Sequence, residues 1–117
     1  MIKPNFEASA YLEINRLIDE GEEILETCSL ENFTEGGGPE ARRNAIEAWL
    51  AKAERQTGDL LVNPEEAMPF SVGRFNEEIE ALDPQPPSAA QLRRAFVDIV
   101  NEKLRLLNAM IGRDSEE

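Results

Sequence analysis

Carboxylates are crowded into one short stretch of the sequence, RLIDEGEEILE at residues 16–26. Five of its eleven residues are acidic, and Arg16 is its one cation. On a helix, Asp19 with Glu23 and Glu22 with Glu26 are like-charged i, i+4 pairs, which cost about 0.2–0.5 kcal/mol each. These acids also lie toward the carboxyl end of the helix, where the macrodipole favours cations. The helix itself gains nothing from them, so either neighbouring helices compensate the charge or a partner uses it.

Paired carboxylates can serve as acid and base or as metal ligands, but the residues that usually complete such sites are missing. The sequence has no histidine, which excludes a Ser-His-Asp triad, a Cys-His dyad and a histidine-ligated metal site. It also lacks the Glu-x-x-His motif of di-iron bundles and the aspartate-rich loop of an EF-hand. The glycine cluster GGGPEARR lacks the Gly-Lys-Ser/Thr ending of a phosphate-binding loop. We therefore expect no enzymatic activity, no cofactor and no metal.

The net charge of −12 is unevenly distributed along the chain. Residues 1–38 carry −7 and residues 63–87 carry −5, whereas residues 39–62 and 88–117 are each balanced. So anionic a chain is repelled by nucleic acid and by anionic membranes, and we expect it to bind neither directly. The residues predicted to contact a partner are eight acids from the crowded stretch 16–26 and from the third predicted helix: Asp19, Glu20, Glu22, Glu23, Glu26, Glu77, Glu78 and Glu80.

Two interpretations of these acids compete. In the first, arginines of neighbouring helices neutralise part of them and the rest form a solvated face; the candidates are Arg42, Arg43, Arg93, Arg94 and Arg105. In the second, the first and third segments form one continuous acidic surface that docks on a basic surface of another protein. The chain would then be a non-catalytic inhibitor or adaptor. Its extreme form is a nucleic-acid mimic, by analogy of size and charge with some small phage-encoded inhibitors of bacterial defence.

An alternative function is that of a self-associating structural or accessory helical module. Leu106, Met110 and Met68 lie off the main apolar stripes and indicate a second apolar face. A homo-oligomer would bury such a face.

The elements that position these residues are helices. Apolar residues recur at intervals of three and four between the breaks TEGGGPE at 34–40 and DPQPPS at 83–88, with a weaker break, NPEEAMPFS, at 63–71. We predict helices from about residue 5 or 8 to 27, from 39 to about 62, from 71 to 82 and from 88 to 111. The fold class is all-α: a compact bundle of three long helices and one shorter helix. One domain spans residues 1–112, and 113–117 form a frayed acidic tail.

A few side chains are assigned to the core or to its edge. Phe6 and Ala45 fall on predicted core stripes, and Trp49 is the expected core anchor. Gly21 predicts either a close helix–helix approach or a slight break in the helix. Phe33 either packs over a helix end or is an exposed contact residue on a loop.

The single cysteine, Cys28, excludes an intramolecular disulfide and is predicted to be a small buried hydrophobe. The N-terminal sequence shows no signal-peptide core, and no stretch approaches the ~20 apolar residues of a membrane span. We therefore expect a cytoplasmic location.

Overall fold

Helices account for nearly all of the described backbone. The structure, a computed structural model, describes residues 2–29, 33, 37–83 and 85–112. Four α-helices are present in these ranges: α1 (Glu7–Thr27), α2 (Gly38–Leu60), α3 (Val72–Glu80) and α4 (Ala89–Met110). Short 3₁₀ helices span Pro4–Phe6 and Pro64–Phe70. Within the described ranges there is no β-strand, only an isolated bridge between Ile2 and Leu61. The predicted all-α fold of three long helices and one shorter helix is confirmed; the predicted frayed tail at 113–117 lies outside the described residues.

Contacts between helix ends define an up-down-up-down bundle. The Arg42 Nε group near the start of α2 donates to the Thr27 carbonyl at the end of α1, so the two helices run antiparallel. The Arg93 Nε group near the start of α4 likewise donates to the Cys28 carbonyl. At the opposite end of the bundle, the Tyr11 hydroxyl donates to the Ile111 carbonyl. The 3₁₀ helix Pro64–Phe70 and α3 together form the third segment, which runs back along α2.

The third segment is diagonal to α1. Both α1 and α3 pack against α2 and α4, and these two helices also contact each other. The outer faces of α1 and α3 therefore look away from each other, with the α2–α4 pair between them.

The core is apolar and has an aromatic cluster near the amino end of α4. Phe96 is fully buried, and its ring lies 5.9 Å from that of Phe33 and 6.0 Å from that of Phe75, measured between centroids. Of the two predicted positions for Phe33, packing over a helix end is therefore the one observed. The prediction for Cys28 is also confirmed: its side chain is fully buried. Burial raises the pKa of the Cys28 thiol, outweighing a hydrogen bond from Thr27 and the charges of two arginines.

The helix caps lie where the local sequence signals are strong. Ser88 and Gln91 form a reciprocal capping box at the start of α4. The Ser71 hydroxyl accepts a hydrogen bond from the Arg74 amide at the start of α3. Gly112 follows α4 with φ of +73°, a left-handed conformation that glycine adopts without strain.

Two local features differ from what helix-breaker rules and helical spacing predict. Pro69 lies in the break NPEEAMPFS, but the 3₁₀ helix continues through it to Phe70 because proline's fixed φ suits that conformation. Phe6 was placed on the core stripe of the first helix. It lies instead in the 3₁₀ helix Pro4–Phe6, whose tighter period turns its side chain outward, and it is 45% exposed.

Gly21 marks a close approach, and α1 passes through it without a break. A Cβ atom built at this position would lie 2.5 Å from Cζ2 of Trp49 and 2.7 Å from Cδ2 of Leu104. Trp49 is held there because its indole Nε1 donates to the Leu17 carbonyl at 2.8 Å. Trp49 is therefore the predicted core anchor, and the missing side chain of Gly21 makes room for its ring.

Candidate protein-binding surface

The acids of α1 line its outer face, opposite the buried stripe that contains Leu17 and Gly21. Four of them make no ion pair with any described residue and are exposed: Asp19, Glu22, Glu23 and Glu26. The fifth, Glu20, is half-buried and accepts a hydrogen bond from the Lys52 ammonium of α2 at 2.6 Å. The structure thus brings four unpaired carboxylates together within two helical turns.

Three of the five arginines expected to neutralise these acids are engaged elsewhere. Arg42 and Arg93 donate to the carbonyls of Thr27 and Cys28, where α1 ends. Arg43 donates to the Asn76 side chain and lies 3.7 Å from Glu47 of its own helix. Arg94 and Arg105 form no ion pair within the described part of the chain. The first interpretation combined neutralisation by these arginines with a solvated acidic face, and for α1 only the solvated face is observed.

The two guanidinium groups at the end of α1 stabilise that end of the helix. The last carbonyls of a helix lack partners within it, and the macrodipole gives them partial negative charge. Arg42 and Arg93 supply both hydrogen-bond donors and positive charge at that position. They hold α1 on α2 and α4, so the four acids project from a rigid helix. The sequence contained both arginines but no sign that their partners were backbone carbonyls.

The acids of α3 lie on a different side of the molecule. Glu77, Glu78 and Glu80 are exposed, but α3 is diagonal to α1 in the bundle. The single continuous acidic surface expected from the first and third segments is therefore wrong, because α2 and α4 stand between them. Glu78 and Glu80 also share their surroundings with arginines, Arg94 and Arg43 respectively. A partner-binding role for each of the eight acids stays a prediction.

A groove beside the acids was not anticipated from the sequence. This groove, called here the α1–α2 groove, has a volume of about 400 Å³. Its floor is formed by Ile24, Ala45, Ala48 and Trp49, and Glu23 lies on its rim. Ala45 was predicted to be in the core, but it is exposed and lines this groove. The one sequence feature that could have indicated this groove is the pair of small residues, Ala45 and Ala48, that lie beside Trp49 on α2.

Large apolar side chains are exposed in the other half of the bundle, where α1 begins and α2 and α4 end. They are Phe6, Tyr11, Leu12, Val62 and Met68. Leu106 and Met110 pack partly against the core and, with Pro69, line a shallow groove of about 500 Å³. The predicted second apolar face thus has one exposed member, Met68, beside two half-buried ones.

Further findings bear on metals and membranes. Among residues 2–29, 33, 37–83 and 85–112, no three carboxylates or thiols are placed to hold a metal ion. None of the helices in those ranges is long and apolar enough to cross a membrane. No known protein family, curated protein or solved structure matches this chain.

Proposed function

We propose that this chain is a non-catalytic inhibitor or adaptor that binds a basic surface of another protein through the outer face of α1. The observation that carries the proposal is the group of four exposed acids, Asp19, Glu22, Glu23 and Glu26, that form no ion pair with any described residue. We place this activity in the cytoplasm, with nucleic acid and membranes excluded as direct partners by the net charge.

The electrostatics of this face favour rapid association with a cationic partner. Like charges at i, i+3 and i+4 repel one another, and a bound cation removes that repulsion. Because the acids are already solvent-exposed, no internal ion pair has to break before binding. Complementary charge raises association rates and rejects acidic competitors, while close contacts fix the affinity. Nucleic-acid-binding proteins present such cationic surfaces, and they are the partner class proposed here.

A charge-reversal variant on α1 tests this proposal. Glu22, Glu23 and Glu26 are replaced together by lysine, which also suits the carboxyl end of a helix and should leave the fold intact. Basic proteins are recovered from the native host on the immobilised wild-type chain at low salt and released at high salt. We expect the α1 variant to bind the recovered protein at least tenfold more weakly, measured by calorimetry, and to lose the salt dependence.

The matched control is the variant with Glu77, Glu78 and Glu80 replaced by lysine, which changes the net charge by the same amount on the diagonal helix. Its affinity should fall much less than that of the α1 variant. Equal losses would show that total charge, and not the α1 face, determines binding. Full affinity in the α1 variant would reject the proposed function.

The exposed apolar residues favour a second candidate, a self-associating helical module. Phe6, Leu12, Val62 and Met68 lie in the half of the bundle away from the four acids. Two copies meeting through this half would keep their acidic α1 faces apart. Sedimentation over a wide concentration range should then show a species of twice 13.1 kDa, and Leu12→Lys should shift the equilibrium toward the monomer. A monomer at every concentration would rule this candidate out.

A further inference from the structure

We propose that the α1–α2 groove anchors an apolar side chain of the partner, and that the partner segment is a basic amphipathic helix whose cations lie on the acids of α1. This inference rests on the proposed function and names the chemistry of the segment that the α1 face recognises.

The groove is built from two matching stripes on antiparallel helices. Its α1 side is Glu20, Glu23, Ile24 and Thr27, and its α2 side is Ala45, Ala48, Trp49 and Lys52, each spaced i, i+3, i+4, i+7. Seven residues of helix span about 10 Å. The Lys52–Glu20 ion pair lies at one end of the groove, and Thr27 lies at the other. The length and volume suit one or two side chains and not an extended chain.

The floor selects an apolar occupant. Ile24, Ala45 and Ala48 offer carbon surface, and the buried Trp49 lies behind them with its indole N–H already used by the Leu17 carbonyl. A polar side chain would therefore lose water in this groove without gaining a partner on its floor. The two alanines, Ala45 and Ala48, leave room for the backbone of a partner helix to approach closely, which is how apolar helix faces dock into grooves.

The rim of the α1–α2 groove favours a partner that carries cations on the side facing α1. Glu20 is already neutralised by Lys52, whereas Glu23 on the same rim has no ion-pair partner among the described residues. Asp19 and Glu26 lie one turn to either side of Glu23 on α1. A helix with its apolar stripe in the groove would place its flanking lysines or arginines beside these three carboxylates.

Two of the other grooves have an arginine beside their acids. The groove between α3 and α4 has acids and a base together on its rim, with Arg94 beside Glu78 and Asp98. The groove between α2 and α3 is likewise mixed, with Arg43 beside Glu47 and Glu80. Among the described residues that line the α1–α2 groove, the one base, Lys52, is paired with Glu20, so Glu23 on the same rim faces no free cation there.

A peptide titration tests the inference, because Trp49 is the single tryptophan of the chain and lies on the floor. One peptide of about 14 residues, four helical turns, carries leucines on one face and lysines on the other. The second has the same lysines but serine in place of every leucine. We expect the leucine peptide to change the Trp49 emission saturably and to bind at least tenfold more tightly than the serine peptide at equal salt.

Two variants of α2 locate the binding site. Ala48→Phe fills the groove, whereas Ala51→Phe adds the same ring to an exposed position on the same helix outside it. Circular dichroism checks that both variants fold. We expect Ala48→Phe to abolish the preference for the leucine peptide and Ala51→Phe to keep it.

The outcomes separate this inference from the proposed function. If both peptides bind equally, with unchanged Trp49 emission, and the α1 charge-reversal variant loses both, the groove inference is overturned and the acidic face stands. If Ala48→Phe and Ala51→Phe behave alike, the peptide binds elsewhere and the inference is again overturned. If neither peptide binds at low salt, both proposals fail.

Discussion

Replacement of Phe96 by alanine is expected to lower the free energy of unfolding by about 3–5 kcal/mol, the usual cost of removing a buried aromatic side chain. Phe96 is fully buried on α4, and its ring contacts those of Phe33, which follows α1, and Phe75 on α3. The Phe96 side chain thus joins three segments that are distant in the sequence. These segments cannot easily move together to fill the cavity that alanine would leave. Because domains of this size have total stabilities of about 5–15 kcal/mol, chemical denaturation should show a large shift of the midpoint.

Phe6→Ala is the matched control, since it removes the same atoms from a ring that is 45% exposed. The Phe6 ring has one notable contact, the Lys3 ammonium 5.7 Å from its centroid. An exposed cation–π pair contributes only about 0.5–1 kcal/mol. A loss at Phe96 no greater than the loss at Phe6 would contradict the central position assigned to the aromatic cluster.

Helices and caps of this chain could be predicted because their causes are local. The capping box of Ser88 and Gln91, the Ser71 cap and the C-terminal Gly112 each act within a few residues, so neighbouring letters suffice to identify them. The helical spacing of Trp49 and Leu50 likewise predicts a core position for both, and both are buried. Predicted ends agree with the observed α2 and α4 to within two residues.

The arrangement of helices could not be predicted, and the candidate site depends on it. Charge counted by segment treats the first and third segments as if they were neighbours. In an up-down-up-down bundle they are diagonal, and α2 and α4 separate Glu23 from Glu78. Segment charge therefore identified the anionic helices correctly but joined them into a surface that the packing divides.

The hydrogen-bond partners of Arg42 and Arg93 also could not be predicted from the sequence. Counting charges pairs Arg42 and Arg93 with nearby carboxylates, but in the fold they donate to the carbonyls of Thr27 and Cys28, at the end of α1 where carbonyls lack partners within the helix. A buried carbonyl without a donor is costly, whereas an exposed carboxylate stays hydrated at little cost. Arg42, only 8% exposed, therefore donates to a backbone carbonyl. The crowded acids of α1 are tolerated because these two cations stabilise the end of the helix that the acids disfavour.

The α1–α2 groove depends on Gly21, which lets α1 approach Trp49, and this contact gives the second large stability effect. In an open helix, Gly→Ala stabilises by about 1 kcal/mol because glycine loses more backbone freedom on folding. Here the added methyl group would overlap the Trp49 ring at 2.5 Å, and that ring is fixed by its hydrogen bond to the Leu17 carbonyl. Overpacking of this kind costs about 1–3 kcal/mol or more. We expect Gly21→Ala to lower the free energy of unfolding by about 1–3 kcal/mol in urea denaturation.

Gly58→Ala on α2 separates the steric term from helix propensity. A Cβ at Gly58 would meet only the Cβ of Ala67, at 3.9 Å, which is ordinary van der Waals contact. The same substitution should therefore raise the free energy of unfolding there, by up to about 1 kcal/mol. The expected signs differ because an added methyl group overlaps the Trp49 ring at Gly21, where a hydrogen bond fixes that ring, whereas it meets no close neighbour at Gly58. Stabilisation by both alanines would mean that α1 can move away from α2 at Gly21, in which case the groove floor is not rigid enough to act as a preformed anchor site.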